Sequence, residues 1–135
     1  MKSLAQHVAA QGADIRPAQQ DEIAAAEQTL KMQFSPEYKA YLAQFGLIAY
    51  GATEVNGLGI PATSHLNILS AIESLRNGKN YPAQAVPLCE IGDGYYYLYD
   101  NQHQKILTWS MINGVVESSG EGLETFLLRV VFDVD

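Results

Sequence analysis

Cysteine occurs once in the 135 residues, at Cys89, so neither an internal disulfide nor a multi-cysteine metal site can be built. A reducing compartment, the cytoplasm, suits such a chain. Positive charge is sparse too: eight Lys and Arg stand singly against 15 Asp and Glu, a formal net charge of -7. Nucleic-acid binding draws its phosphate term from clustered Lys and Arg, which argues against a direct nucleic-acid partner. No apolar run approaches the ~20 residues that a bilayer-spanning helix needs, so no membrane contact is expected. Gln6, His7 and Gln11 interrupt the apolar residues after Lys2, and no signal peptide is expected there.

Signatures of chemistry are missing as well. G-x-x-x-x-G-K-[ST], G-x-G-x-x-G and G-x-S-x-G do not occur, and Gly57-Leu58-Gly59-Ile60-Pro61 has no lysine or following helix pattern to hold phosphate. His7, His65 and His103 lie in separate segments without metal-ligand spacing. Asp93-Gly94 lacks the spaced oxygen ligands and closing glutamate of a calcium loop. No cofactor and no metal are expected. Cys89 follows the apolar Val86-Pro87-Leu88 and reads as a buried, inert thiol.

What is present is an apolar content of 47%, enough for the core of one compact domain over residues 1–135. A short helix is expected around Lys2 to Gln11, with Leu4 and Val8 its large apolar residues. A second is expected from about Pro17 to Leu30, where proline suits the first turn, Asp21 and Glu22 favour the positive end, and Ile23, Ala26 and Leu30 form a stripe. Ser35-Pro36-Glu37 opens a third with Tyr38, Tyr41, Leu42 and Phe45 on one face, closed by Gly46. Glycines at 46, 51, 57 and 59 then imply a twisted loop with one or two short strands. Ser64 or Asn67 caps a fourth helix carrying Ile68, Leu69, Ile72 and Leu75.

From Ala85 the pattern turns to strands: Ala85 to Ile91, Tyr95 to Tyr99, Lys105 to Ser110 and Val115-Val116, separated by residues that tight hairpins use. Glu121 to about Phe132 closes the chain as a helix with Leu123, Phe126, Leu127, Val130 and Val131 on one face. The order argues for an α+β domain, an antiparallel-rich mixed sheet against the N-terminal helix pair and the C-terminal helix.

The segment Glu22-Ile23-Ala24-Ala25-Ala26-Glu27-Gln28-Thr29-Leu30, then Phe34-Ser35-Pro36-Glu37-Tyr38-Lys39-Ala40-Tyr41-Leu42 and Phe45-Gly46, resembles the opening of the SUKH superfamily of Smi/Knr-type domains. Gly94 to Asp100 is similar to that family's Gly-to-Leu-Asp strand, with Tyr99 standing between Leu98 and Asp100 where the family has the two adjacent. The resemblance implies a scaffold role for Glu27, Pro36, Tyr38, Leu42, Gly46 and Leu98. It further implies a non-catalytic protein-binding module, an immunity protein that neutralises a cognate toxin domain, often a nuclease. A regulatory scaffold is the alternative, and a small-molecule enzyme is disfavoured because no nucleophile and base pair can be read.

Glu27 lies on the apolar stripe of its helix, where an unpaired carboxylate is costly. It is expected to accept backbone N–H bonds at the start of the Ser35-Pro36 helix or to pair with Lys39. The catalytic alternative lacks a second polar group on that face. Tyr95, Tyr97 and Tyr99 alternate with Tyr96, Leu98 and Asp100 across a strand. Three rings at period two either form an open binding face or fill the interior, and both readings stand. Glu90, Asp93 and Asp100, with Glu54 and Glu117, are expected to form an acidic rim around one hairpin. The expected partner-binding set is Glu90, Asp93, Tyr95, Tyr97 and Asp100, and the expected partner is a basic toxin domain.

Overall fold

The computed structural model describes residues 1–134, among which five helices and seven strands form an α+β fold. Helix α1 (Lys2–Gln11) buries Leu4 and Val8. The next helix does not start at Pro17. Arg16 N–H donates to Phe45 O at 2.7 Å and Ala18 N–H to Leu42 O at 3.0 Å, so this stretch is tethered along the end of α3 (Pro36–Gln44), and α2 (Gln20–Leu30) begins only after it. Tertiary hydrogen bonds have overridden a proline signal that was locally sound. Ser35 caps α3, its Oγ accepting Tyr38 N–H at 3.1 Å.

The strand β1 (Asp14–Ile15) escaped sequence reading because two residues carry no periodicity. It pairs with β2 (Ile48–Tyr50), which pairs with β3 (Thr53–Val55), giving a small antiparallel sheet. Gly46 explains how three segments meet there. It sits at φ +73°, and a Cβ on it would lie 1.6 Å from Arg16 O; one on Gly57 would lie 1.6 Å from Gly46 O. Only glycine lets these backbones touch. Of the two candidate caps for α4 (Ile68–Leu75), Asn67 does the capping, its Oδ1 accepting Leu69 N–H at 2.8 Å.

The second sheet is an antiparallel meander of β4 (Ala85–Gly92), β5 (Tyr95–Asp100), β6 (Lys105–Ser110) and β7 (Gly114–Ser119). Asn56 N–H donates to Leu88 O at 2.7 Å and links the two sheets. Helix α5 (Leu123–Phe132) starts two residues later than its acidic first turn suggested, because Glu121 turns back to pair with Arg129.

The faces of the meander differ. On one, Tyr99 lies in an aromatic stack with Tyr38 and Tyr41, centroids 5.7 Å apart at each step, and Tyr97 meets Phe126 of α5 edge-on at 5.0 Å. This is the side of the main core, where the helix pair and α5 bury their stripes. On the other, Leu98, Leu107 and Trp109 form a smaller cluster with Leu75 of α4, and Tyr81 stands edge-on to Trp109. The cluster's members are buried, and the flanking Tyr81, Tyr96 and Met111 are partly open to solvent.

Candidate functional site

Four carboxylates are spent on the fold. Glu27 accepts Phe34 N–H at 2.9 Å and lies 3.6 Å from Lys39 Nζ, which ties α2 to the entry of α3. Glu37 accepts Leu123 N–H at 2.6 Å on Oε1 and the Tyr99 hydroxyl at 2.7 Å on Oε2, joining α3, β5 and the start of α5. Glu22 accepts Gly59 N–H at 3.0 Å, and Glu124 accepts Leu4 N–H at 2.9 Å. Each places negative charge on N–H groups that would otherwise lack partners. Glu37 was missed in the sequence, where it reads only as an acidic first-turn residue.

A different set borders a cleft of about 280 Å³ between α4 and the β4–β5 hairpin. Glu54 from β3 and Glu90 from β4 supply its acids, and Asn56, His65, Ser70, Ser74 and Tyr96 its other polar groups; Leu75 and Pro87 are among its apolar walls. Glu54 Oε1 lies 3.7 Å from His65 Nε2. Glu90 pairs across the ladder with Tyr96, whose hydroxyl donates to the Glu90 carboxylate and is pushed up from its ordinary value, first by burial and then by the charge and hydrogen bond of Glu90. Among the described residues, no lysine or arginine lines this cleft. Among the described residues, no three His, Cys, Asp or Glu side chains are grouped to hold a metal ion.

Beyond Glu90 the hairpin tip carries Asp93 at φ +54° and Tyr95, whose hydroxyl accepts from Asn113 Nδ2 at 3.4 Å. Ile91 and Ile112 are exposed beside it, Ile112 at 79%. The hydrogen bond from Met111 N–H to Gly94 O, 3.0 Å, holds the two hairpin tips together. Cleft and tip are therefore continuous along one hairpin.

The family model SUKH_5, described as SMI1-KNR4 cell-wall, matches residues 1–132. The chain belongs to the SUKH family. The SUKH fold is seen again in a solved structure titled "Crystal structure of protein from Pseudomonas syringae pv. tomato", which superposes with a TM-score of 0.80 over 99% of this chain and 100% of that one. At 17% identity the likeness speaks for the fold alone. A search of curated protein sequences gave no match.

Within this SUKH domain, two expectations about the surface need correction. Glu90, Asp93 and Asp100 do not gather at one hairpin. Asp100 pairs with Ala85 at the far end of β5, roughly 20 Å of strand away from Asp93 at about 3.3 Å per residue. There its Oδ1 accepts Gln102 N–H at 2.9 Å and its Oδ2 meets His103 Nδ1 at 2.8 Å, so it shapes its own turn. Nor do Tyr95, Tyr97 and Tyr99 form an open row. Tyr99 is buried, bonded to Ser35 and Glu37, and Tyr97 is half-covered by Phe126. The face that meets the helices is the one carrying three tyrosines, and the ring left at the cleft is Tyr96.

Glu117 lies on the opposite side, in a hollow of about 250 Å³ with Tyr97, Glu121 and Arg129. His7 packs on Phe132 with centroids 5.9 Å apart. Leu42 is fully buried in the main core and Leu98 in the smaller cluster, while Pro36 holds the first position of α3. Cys89 is buried, and burial pushes its thiol up to about 12, far from the thiolate form at neutral pH.

Proposed function

We propose that this SUKH domain is a non-catalytic immunity-type module that acts in the cytoplasm by covering the basic surface of a toxin domain. The observation that carries the reading is the division of its acids. Among the described residues, Glu54 of β3 and Glu90 and Asp93 of the β4–β5 hairpin accept no backbone N–H; Glu54 and Glu90 border one cleft, and Asp93 stands at the hairpin tip beside exposed Ile91 and Ile112. Carboxylates that the backbone does not engage in this way steer a cationic partner and suppress wrong ones, while apolar anchors at the centre supply desolvated contact. The net charge of -7 extends the same attraction over the molecule. The chemistry-bearing side chains oppose an enzymatic reading: Cys89 is buried and protonated, and the cleft pairs no nucleophile with a base. Family membership supports a protein partner.

The test is to read the neighbouring open reading frames for a large secreted protein and to coexpress this chain with that protein's C-terminal domain. Cells carrying both should grow and cells carrying the toxin domain alone should not, and the purified pair should form a one-to-one complex that weakens as salt rises. A stable chain that gives no protection and no complex with that domain overturns the reading.

A further inference from the structure

The meander has two outer strands, and they are not treated alike. Asn56 N–H reaches the outer side of β4 at Leu88 O, 2.7 Å. β7 is bonded to β6 on one side, and on the other it meets no strand among the described residues. Val115 through Ser119 are all exposed. The hydrogen bond from Met111 N–H to Gly94 O fixes which groups this edge presents. With Tyr95 opposite Ser110, it makes Met111 and every second residue back to Lys105 bond to β5, so Ser110, Thr108 and Ile106 bond to β7. Their opposite numbers are Gly114, Glu117 and Ser119. Ser118, between the last two, turns its N–H and C=O outward from the sheet.

Natural sheets blunt such an edge with lysine, proline or a bulge. β7, Gly-Val-Val-Glu-Ser-Ser, has neither lysine nor proline. Its one bulge sets Val116 between Val115, opposite Trp109, and Glu117, opposite Thr108, and the ladder is regular from Glu117 onward. The strand's two faces differ in chemistry. Val115, 47% exposed, stands on the side of Trp109, while Glu117 stands on the side of Tyr97 and α5 with no ion pair among the described residues. A second copy of the chain is a poor occupant. Adding β7 to its own image about a two-fold axis sets Glu117 directly opposite its copy in the register centred on Glu117, and diagonal to it in the register centred on Ser118. Like charges so placed destabilise a ladder, and a net charge of -7 on each copy adds to the cost.

We infer that the β7 edge receives an extended segment of the partner protein as a further strand of the meander, bonded through Ser118 and carrying a lysine or arginine opposite Glu117. Strand addition draws affinity from main-chain hydrogen bonds and its choice of sequence from alternate side chains. Here the alternation asks for a cation on the Glu117 side and an apolar residue on the Val115 side. The same charge that repels a second copy thus selects a basic strand. The inference deepens the binding-module reading and rests on it for the basic character of the partner.

The experiment uses the intact chain and a capped peptide of alternating lysine and valine as probe, followed by amide chemical shifts and amide hydrogen exchange. The comparator is the same peptide with its valine amides N-methylated, which keeps the charge and removes the donors that would face Ser118. Saturable shifts at residues 115–119 at millimolar peptide, slowed exchange of Ser118 N–H, and neither effect with the N-methylated form are the expected result. Glu117→Gln should weaken the peptide about threefold, as the loss of one cross-strand charge pair does. Ser118→Pro, at an N–H that the ladder does not use, should abolish the shifts with the circular dichroism unchanged. Equal shifts from the N-methylated peptide, shifts that centre on Asp14 and Asp21, or a dimer in sedimentation that Ser118→Pro dissolves overturn it. The peptide comparison decides even where Ser118→Pro fails to fold. The two readings also separate. Protection from the toxin domain that persists in folded Ser118→Pro removes the edge and leaves the proposed function, whereas peptide binding without protection keeps the edge and removes the toxin.

Discussion

On the helical side of the molecule Glu22, Glu27, Glu37 and Glu124 each accept a backbone N–H, with donor to acceptor distances from 2.6 to 3.0 Å. Along the β4–β5 hairpin and its cleft, Glu54, Glu90 and Asp93 accept none among the described residues. The two groups are chemically alike, and their difference lies in what the backbone nearby offers. Helix starts and inter-element loops expose N–H groups that need an acceptor, whereas the ladder of a hairpin satisfies its own. An acidic chain of this fold therefore splits its charge into carboxylates that hold elements together and carboxylates that remain available to a partner. The comparison predicts that substitutions in the first group act on stability and those in the second on recognition.

The largest effect should come from Glu37→Ala. It strands Leu123 N–H at the start of α5 and the Tyr99 hydroxyl beside the main core, two hydrogen bonds to a charged acceptor. A loss of roughly 3 kcal/mol is expected at about 1.5–3 kcal/mol per bond to a charged group, discounted because Glu37 is only half-buried. Urea denaturation read by tyrosine and tryptophan fluorescence checks it. An unchanged midpoint would break the first half of the comparison.

Alkaline pH should come next. Burial, the leading cause in each case, pushes the hydroxyls of Tyr38, Tyr41, Tyr81 and Tyr99 well above their ordinary 10.0, and Cys89 from 9.0 to about 12. Groups whose folded values are raised hold their protons in the native state while the unfolded chain gives them up. Their contribution is complete below pH 9 and is lost as pH rises through the folded values. Stability should be level through neutral pH and fall steeply above about pH 10, and a denaturation series across that range, with tyrosinate absorbance followed in parallel, measures it.

Glu27→Gln should be milder. Glutamine keeps an oxygen that can accept Phe34 N–H but loses the charge that faces Lys39. Lys39 is nearly half exposed, so the ion pair is screened and the expected cost is about 1 kcal/mol, mostly from the weaker acceptor. A lowered melting temperature with unchanged affinity for the toxin domain proposed as partner is the expected outcome; affinity lost without stability lost would move Glu27 into the interface.

The legible parts of the fold were those in which one residue's neighbours in sequence are its neighbours in space. Ser35-Pro36 announced α3 and Asn67 offered a cap for α4, because capping chemistry is local. The meander was readable from its turns. What stayed hidden depended on distant segments: β1 exists because Ile48 and Ala49 lie opposite it, and α2 starts late because Phe45 and Leu42 hold residues 16 and 18. The candidate site suffered most from this. Period two correctly put Tyr95, Tyr97 and Tyr99 on one side, but which side meets the helices is a tertiary choice, and Tyr99 went inward to Ser35 and Glu37. The cleft brings Glu54, His65 and Glu90 together from three elements, a meeting no spacing could show.

Glu54→Gln and Glu90→Gln should have the smallest effect on stability, within about 0.5 kcal/mol, since each removes an exposed charge that accepts no backbone N–H among the described residues, and glutamine keeps an oxygen for the Tyr96 hydroxyl at position 90. Glu54 is more than half exposed beside His65, and a screened contact of that kind contributes little. Removing either acid should even relieve some self-repulsion in a chain of charge -7. Their effect belongs in association: each should slow the on-rate for the proposed toxin partner and flatten its dependence on salt, while Asp93→Lys, which reverses a charge at the hairpin tip, should slow it further. Stopped-flow mixing at two ionic strengths separates these terms. If both glutamine variants unfold at lower temperature and associate at the parent rate, the cleft acids belong with Glu37 after all, and the division of charge between fold and partner does not hold.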